Sequence, residues 1–368
     1  MSAKQPFLLA AGGTGGHLFP AFSLAAVLAR RGERVMLATD ERVKQHGADF
    51  PADAVFVIRS ATFKSRSPWA LAQTLWRLCA GFVQSLVLLL RERPCVVIGF
   101  GGYPSLPPVM AAVLLGIPTV IHEQNGVLGR ANAFLARFVR GIGTGLAEVK
   151  GLDGALAAKA RHVGNPLRPK VLAAITPYTA PVDGGDLRLL VTGGSLGARI
   201  MSDVVPQAVA LLDEQLRQRL HVVQQARSED LDRCRLIYEQ AGVKAELAAF
   251  FDDLPARIAW SHLVIGRAGA STVAELAALG RPSLLVPLPH SLDQDQAANA
   301  AFLAQAGAAD VVAQRDFDPA WLAAWLARRF SDAPALAQSA AAAKALGKTD
   351  AAEQFAAFVL DLVATERA

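Results

Sequence analysis

The chain has 368 residues, of which 52% are hydrophobic and 19% charged. This composition excludes a disordered chain, and at about 150 residues per domain the length predicts two domains. The 37 lysines and arginines exceed the 32 acidic residues by too little to predict nucleic-acid binding, although a local basic patch facing phosphates or anionic lipids is compatible with that balance.

The three cysteines are widely spaced and include no C-x-x-C pair. They predict neither a disulfide framework nor a zinc site, and they indicate a reducing cytoplasm as the compartment. The apolar run 7–11 near the N-terminus is too short for the hydrophobic segment of a signal peptide, so we expect no export.

The first predicted strand, residues 7–11, leads into the glycine-rich loop 12–17 and then into a helix that reaches about Arg31. Glycines in this position let the backbone approach an anion, and the start of the helix adds unpaired N–H groups. A tight turn without a ligand is the alternative. His17 is a candidate general base or phosphate partner, or else a surface histidine. The loop does not match G-x-G-x-x-G, because Leu18 stands where the third glycine belongs, nor does it match a P-loop.

Residues 70–90 predict a helix that is long enough to cross a bilayer. A lone spanning helix would place Arg77 near the bilayer centre, at a cost of about 2.5 kcal/mol or more, so we expect no span. The polar side chains fall within about 40° of one another and form one narrow stripe. They are Gln73, Arg77, Gln84 and Arg91.

Two interpretations of this helix remain open. It is either largely buried in its domain or it turns part of its apolar face toward lipid, with basic residues beside it to attract anionic headgroups. The lipid-facing side chains would be Trp69, Leu75, Trp76 and Phe82, and the basic ones Lys64, Arg66 and Arg77.

The second half of the chain repeats the first. The strand-like run 187–192 is followed by the glycine-rich loop 193–199 and a helix, as in the first unit, and the segment 263–282 resembles the segment 96–118. Alternation of strands and helices is typical of parallel α/β architecture. Repetition at half the chain length predicts two similar Rossmann-like domains, with a junction near 163–167.

Polar loops follow strand-like runs in both halves, where open α/β sheets bind ligands. In the first half they are 101–105 and 122–126. In the second half, Thr272-x-x-Glu275 has the pattern of a capping box, and the alternative is that Glu275 binds two ribose hydroxyls. The stretch 287–299 is dense in hydrogen-bonding groups. No cluster has metal-ligand spacing and no nucleophile elbow is present, so we expect no metal.

Seven motifs in chain order carry a family resemblance. They are GGTGGH at 12–17, GFGGYPS at 99–105, HEQNG at 122–126, GNPLR at 164–168, GGSLGAR at 193–199, GASTVAEL at 269–276 and DQDQxxNA at 293–300. Together they closely resemble the MurG family of glycosyltransferases, which adds N-acetylglucosamine to undecaprenyl-diphospho-muramoylpentapeptide (lipid I) to give lipid II. The resemblance implies an α/β fold of the GT-B class, with two Rossmann-like domains whose parallel sheets face a central cleft.

The resemblance also implies the donor site. UDP-N-acetylglucosamine would contact Thr14, Gly15, Gly16, Asn125, Arg168, Ser195, Phe251, Ala270, Ser271, Thr272, Val273, Ala274, Glu275 and Gln296. Phe251 falls where the family offers backbone groups to the uracil. The sequence is one residue longer than some relatives before Asn299, so Gln294 or Asp295 is an alternative to Gln296.

The implied reaction inverts the anomeric carbon and uses no cofactor. We expect His17 to be the base that removes the proton of the acceptor's C4 hydroxyl, with Glu123 in reserve. Loop N–H groups, helix N-termini and Arg168 would stabilise the departing diphosphate without a metal.

By resemblance, residues 1–163 form the acceptor and membrane domain, completed by a C-terminal helix 340–368, and residues 164–339 form the donor domain. The lipid-facing interpretation of helix 70–90 is then favoured. The chain would bind peripherally to the cytoplasmic face of the inner membrane, contact anionic lipids and cell-wall synthesis and division proteins, and bind no nucleic acid.

Three rival functions stay open. A nicotinamide-dependent dehydrogenase would need an acidic ribose-binding residue after the second strand, for which Asp40 is a weak candidate. A related GT-B enzyme acting on a lipid or a natural product would keep the UDP loops. A membrane-associated scaffold would neither bind UDP nor transfer a sugar.

Overall fold

A computed structural model describes residues 5–12, 15–41, 50–61, 67–194, 197–289, 291 and 294–367. The chain divides into two compact units. The first contains Met1–Arg168 and Thr349–Ala368, and the second contains Pro169–Lys348.

The first unit is built on a parallel sheet of seven strands. In chain order they are β1 (Phe7–Ala10), β2 (Val35–Thr39), β3 (Ala54–Val57), β4 (Val96–Gly99), β5 (Thr119–Glu123), β6 (Gly141–Thr144) and β7 (Ala160–His162). Their order across the sheet is β3-β2-β1-β4-β5-β6-β7. The central strands are continuous apolar runs because helices cover both faces of the sheet.

Alternate residues of β1 enter two different cores. Phe7 and Leu9 pack with the apolar face of the first helix, while Leu8 and Ala10 pack on the opposite side of the sheet. Four helices of this unit follow strands β1, β3, β4 and β5. They are α1 (Gly15–Arg30), α2 (Pro68–Glu92), α3 (Leu106–Leu114) and α4 (Arg130–Leu135).

The second unit repeats this architecture with six parallel strands. They are β8 (Leu187–Thr192), β9 (Leu220–Gln225), β10 (Lys244–Ala248), β11 (Leu263–Gly266), β12 (Ser283–Leu285) and β13 (Ala309–Val311), in the order β10-β9-β8-β11-β12-β13. Its helices are α5 (Pro169–Ala173), α6 (Arg199–Ala210), α7 (Glu214–Arg219), α8 (Leu231–Gln240), α9 (Leu254–Trp260), α10 (Ala270–Leu279), α11 (Asp295–Gln305), α12 (Pro319–Phe330) and α13 (Ala333–Leu346). The predicted duplication is therefore present as two Rossmann-like sheets.

The unit boundaries differ from the sequence expectation by a few residues. The segment 164–168 stays with the first unit because Gly164 N–H donates to Thr144 O at 3.0 Å and Asn165 Nδ2 donates to Gln124 O at 2.9 Å. Helix α13 stays with the second unit, where Lys344 Nζ donates to Ala278 O at 2.7 Å. The helix that returns to the first unit is α14 (Ala351–Arg367).

Helix α14 completes the first core. Phe355 and Val359 are fully buried among the residues of α1 and β1. At the surface, Arg30 and Arg31 both contact the Glu353 carboxylate, at 2.8 and 2.5 Å. The apolar contacts supply most of the stabilisation, since exposed ion pairs contribute little.

Helix α2 is not the largely buried helix of the first interpretation. Within Leu71–Glu92 only 22% of the most apolar window is buried, and this is the one described helix long and apolar enough to span a membrane. The inner side of α2 lies close to the backbone of the segment after β3. A Cβ on Gly81 of the helix would overlap the carbonyl oxygen of Arg59 in that segment. Gln84 of the predicted polar stripe accepts a hydrogen bond from Arg59 N at 3.0 Å.

Candidate active site

The strand order brings the predicted loops of the first half to one edge of the sheet. Strand β1 pairs with β4 in the register Ala10↔Gly99, and β4 pairs with β5 in the register Gly99↔Ile121. The loops that follow these three strands therefore leave the sheet side by side. Because the chain order reverses direction at β1 and β4, this is the switch point where open α/β sheets bind ligands.

His17 lies in the first turn of α1, half-buried. The turn Gly101–Gly102 packs against its imidazole, with φ values of +84° and +71° that favour glycine. A Cβ on Gly102 would lie 3.2 Å from His17 Cδ2 and 3.3 Å from Nε2. Glycine at this position therefore lets the turn lie close to the Cδ2–Nε2 edge of the ring without placing a side chain against it.

Glu123, the second candidate base, is only 2% exposed and has four donors on its carboxylate. Oε1 accepts from Asn125 N and Nδ2 at 3.0 and 3.1 Å. Oε2 accepts from Gly129 N at 3.0 Å and from Asn132 Nδ2 at 2.8 Å. A carboxylate held in this way fixes the loop that carries Asn125, and its proton-accepting oxygens are already engaged.

His122, to which the sequence analysis assigns no separate role, is fully buried beside Phe355. Its Nε2 lies 2.9 Å from Gly164 O. Burial is the main cause that lowers the His122 pKa to about 4, with a smaller contribution from His162 and an opposing one from the Gly164 hydrogen bond. The imidazole is therefore neutral at physiological pH, and Nε2 carries the proton that Gly164 O accepts.

The donor contacts that resemblance assigned to the first half lie near this group. Gly15 and Gly16 open α1, whose first turn contains no acidic residue to repel an anion. The guanidinium of Arg168 lies over the ring of Phe19, with Cζ 4.5 Å from the centroid. Arg168 thus lies against the start of α1, on roughly the opposite side of the helix from His17, since Phe19 and His17 are two residues and about 200° apart. Thr14 lies outside the described residues.

In the second unit the loop after β8 forms a compact turn. Gly194 N–H contacts Thr192 Oγ1 at 3.3 Å, and Gly197 N–H donates to Gly194 O at 3.0 Å. A Cβ on Gly193 would overlap the backbone at Gly197 and Ala198, which are the last residues before α6. Only glycine at position 193 allows the backbone to fold back onto itself this closely. Ser195 lies outside the described residues.

Helix α10 begins where the sequence did not expect it. The residue before its first turn is Gly269, with extended backbone and no side-chain cap, so Thr272 lies inside the helix and the predicted capping box is wrong. The first-turn N–H groups of α10 are consequently left for a ligand or water. Glu275 is buried. Ala270, Ser271, Thr272 and Ala274 are half-buried, and Val273 is buried.

Two side chains hold the loops around α10: Arg267, to which the sequence assigned no role, and Asn299, which belongs to the polar stretch 287–299. Arg267 donates to Val286 O at 2.9 Å, to Pro287 O at 3.2 Å and to Gln314 Oε1 at 2.6 Å. Asn299 Nδ2 donates to Ala268 O at 3.0 Å. An arginine directly after a buried strand was the signal for the first of these, since such a cation needs several acceptors when it is half-buried.

The remaining residues that are expected to contact UDP-N-acetylglucosamine are Phe251, Gln296 and the alternative Gln294, and each has different surroundings. The Phe251 ring is buried under Arg257, whose Cζ lies 4.1 Å from its centroid, so the ring itself is packed against protein. Gln296 Oε1 accepts from Leu288 N at 3.1 Å, and Gln296 N donates to Asp295 Oδ1 at 2.8 Å. Gln294 precedes α11 in the left-handed region, with φ +54°, and is exposed.

Three of the four predicted lipid-contacting residues are exposed: Trp69 by 81%, Leu75 by 60% and Trp76 by 71%. Phe82 differs, because it is partly buried and packs against the core beneath β4 and β5. Its position on the helix points it inward rather than toward solvent. The basic residues Lys64 and Arg66 lie outside the described residues.

Family models match both halves of the chain. The glycosyltransferase family 28 N-terminal domain matches residues 7–144, and the family 28 C-terminal domain matches residues 188–355.

Asp40, which the dehydrogenase alternative would require, directly follows β2 but is buried.

Curated relatives extend over nearly the full length. A protein of Methylobacterium sp. (strain 4-46) is 56% identical over 98% of each chain. A protein of Rhodopseudomonas palustris (strain BisA53) is 53% identical over 98% of this chain and 97% of its own. Both are named UDP-N-acetylglucosamine--N-acetylmuramyl-(pentapeptide) pyrophosphoryl-undecaprenol N-acetylglucosamine transferase.

Solved structures give the same fold. Acinetobacter baumannii MurG superposes with a TM-score of 0.78 at 25% identity and covers 97% of this chain and 99% of its own. The glycotransferase of kitacinnamycin superposes with a TM-score of 0.72 at 18% identity and covers 98% of this chain and 100% of its own. At that identity the similarity concerns the fold alone. These findings identify the two Rossmann-like units as a GT-B fold.

Proposed function

The chain belongs to glycosyltransferase family 28, and from that premise we propose that it transfers N-acetylglucosamine from UDP-N-acetylglucosamine to undecaprenyl-diphospho-muramoylpentapeptide. This is the lipid I to lipid II step of peptidoglycan synthesis. The observation that carries the assignment is identity of 51–56% with curated relatives of that activity over almost the whole chain. The site geometry supports it with groups suited to sugar transfer from a nucleotide.

We assign the donor mainly to the second unit. The uncapped first turn of α10 presents backbone N–H groups at the carboxyl edge of the sheet, where they can donate to phosphate oxygens, and the glycine-rich loop after β8 leaves the same edge. Glu275, five residues after the start of α10, is the candidate carboxylate that accepts hydrogen bonds from the ribose hydroxyls of the nucleotide. Arg267 and Asn299 act as positioning residues, since Asn299 fixes the backbone just before this turn and Arg267 connects it to the segment that follows β12.

We assign proton removal to His17. The acceptor's C4 oxygen attacks the anomeric carbon from the face opposite the diphosphate, the bond from that carbon to the diphosphate oxygen breaks, and the hydroxyl proton passes to the imidazole. This gives a β linkage with inversion. The half-buried imidazole, whose Nε2 edge faces a glycine and no side chain at position 102, suits that task, whereas the Glu123 oxygens are occupied by four donors.

An acceptor panel tests the substrate class. Labelled UDP-N-acetylglucosamine is offered with a short-chain lipid I analogue, with diacylglycerol and with a natural-product aglycone. We expect transfer to the lipid I analogue alone. Transfer only to one of the other acceptors would support a related GT-B enzyme, and absence of both transfer and UDP binding would support the scaffold.

We further propose that α2 docks the enzyme on the membrane. At about 100° per residue, five of its exposed apolar side chains fall within about 60° of one another, and Leu75, which is 60% exposed, lies about 60° further round the helix. The five are Trp69, Trp76, Val83, Val87 and Leu90. The buried side of the helix, with Ser85 and Leu88, is roughly opposite, so among the described residues this apolar stripe is mostly exposed.

Cations flank the apolar stripe. Arg77 and Arg91 of α2 are exposed and lie along one side of the stripe. Helix α3, which packs against α2, ends at the exposed Leu114, and it also packs against α4, near which Phe138 is exposed. Aromatic and aliphatic side chains beside arginines suit the interface of an anionic bilayer, so we place the enzyme peripherally on the cytoplasmic face of the inner membrane.

Charge introduced into the stripe should weaken membrane binding. We expect Trp69→Glu with Trp76→Glu to lower partitioning onto phosphatidylglycerol vesicles about tenfold or more, because two interfacial aromatic anchors are lost. Transfer to a water-soluble lipid I analogue should persist. The matched control places the same charges at exposed leucines of the second unit, Leu211→Glu with Leu236→Glu. Unchanged vesicle binding by the tryptophan variant would exclude α2 as the docking surface.

A further inference from the structure

Gln124 lies between the two histidines of the first unit and is 3% exposed. Its side-chain oxygen Oε1 lies 3.3 Å from Nδ1 of His17. Its nitrogen Nε2 lies 3.0 Å from Phe100 O and 3.1 Å from His122 O. The motif HEQNG placed Gln124 beside the candidate base Glu123 without giving it a task.

The orientation of this amide is determined by its surroundings. Phe100 O and His122 O are carbonyl oxygens, which only accept hydrogen bonds, so the group that faces them must be the NH₂ group. The flipped amide would turn its own oxygen toward both carbonyls and leave three acceptors facing one another in a buried site. Oε1 therefore points to His17.

His122 supports the same orientation. Its Nε2 donates to Gly164 O at 2.9 Å, so in the neutral ring Nδ1 is an acceptor, and this atom lies 3.1 Å from Gln124 Nε2. Burial keeps His122 neutral, with its pKa lowered to about 4. Three acceptors therefore surround the Gln124 NH₂ group, which has two protons to donate, and none of them is a donor that would favour the flipped amide. The chain of contacts runs from Gly164 through His122 and Gln124 to His17.

We propose that Gln124 is a positioning residue that holds neutral His17 as the Nδ1–H tautomer. Because Oε1 can only accept, His17 Nδ1 must donate to it, and the lone pair of the ring is then on Nε2. That is the edge of the ring that faces Gly102. The inference rests on the proposed function, in which Nε2 receives the acceptor's hydroxyl proton.

The tautomer is measurable without turnover. In ¹⁵N-histidine-labelled wild-type protein at a pH where His17 is neutral, we expect the Nδ1 of His17 to be protonated and the Nε2 unprotonated, with the resonances assigned by their loss in His17→Ala. In Gln124→Met, which keeps the volume but removes the acceptor, we expect the population to move toward Nε2–H. Wild-type His17 protonated on Nε2 would overturn the proposal.

Kinetics supply the second readout. Gln124→Met should lower kcat about tenfold or more, as expected when a general base is mispositioned, with the KM for UDP-N-acetylglucosamine unchanged. The matched control is Gln224→Met, which removes another fully buried glutamine amide, from the core of the second unit. Wild-type kcat in Gln124→Met would overturn the proposal. Absence of any transfer by the wild-type enzyme would instead refute the proposed function, and the tautomer measurement would still decide the role of Gln124.

Discussion

Replacing His17 with alanine is expected to lower kcat for transfer about 10²- to 10⁴-fold, which is the contribution of a positioned general base. The KM for UDP-N-acetylglucosamine should stay within about twofold of wild type, because the base acts on the acceptor hydroxyl and the nucleotide is bound by backbone groups elsewhere. Steady-state kinetics with saturating donor measure both constants.

The matched control is His221→Ala, a half-buried histidine on β9 of the second unit whose nearest ion-pair partner is Asp186, at 3.6 Å. It should retain wild-type kcat. Near-full turnover by His17→Ala would remove His17 from the role of base and reopen the assignment for the groups around it.

Replacing Glu123 with glutamine should lower the free energy of unfolding and loosen the loop that carries Asn125. It should not remove the group that accepts the proton. The amide NH₂ would face two of the four N–H donors that now bind the carboxylate, and an unsatisfied buried donor costs about 1–3 kcal/mol. We expect a loss of about 2–4 kcal/mol in the free energy of unfolding, together with a raised KM for the donor, since the loop carrying Asn125 is released.

Chemical denaturation and calorimetric titration of UDP-N-acetylglucosamine measure these two effects. Glu229→Gln is the control, because that carboxylate is 69% exposed and makes only a 3.9 Å contact with Arg227. If Glu123→Gln were as stable as wild type and lost kcat at unchanged KM, Glu123 would be the base and the anchoring role would be wrong.

The strands of both sheets could be predicted from the sequence because the apolar pattern that marks each strand lies within the strand itself. Strands such as 96–99 and 263–266 are apolar on both faces, which marks strands covered by helices on each side. The glycine-rich loops after β1 and β8 were predictable for a similar reason, since a parallel strand that turns directly into a helix needs them. The ordered motifs then gave the family, which the family models confirm.

Features that depend on tertiary contacts could not be predicted. Thr272-x-x-Glu275 has the spacing of a capping box, but the helix begins earlier at Gly269, and nothing in four residues reveals which turn comes first. The orientation of Gln124 depends on carbonyls of Phe100 and His122, 24 and 2 residues away.

The same limit applies to burial. Phe82 and Trp76 are both aromatic residues of one apolar helix, yet Phe82 packs inward and Trp76 is 71% exposed. Helical periodicity predicted that α2 has distinct faces, but it did not say which apolar face meets the sheet. The position of α2 against α3 and the Arg59 backbone decides that.

Transfer to a lipid I analogue whose muramic acid C4 hydroxyl is either present or removed tests the central claim most directly. With the hydroxyl present, the enzyme should form one product in which N-acetylglucosamine is β-linked at C4, as read from the anomeric coupling in the NMR spectrum. The deoxy analogue should give no product. Product from the deoxy analogue, or an α linkage, would contradict inverting transfer at this site.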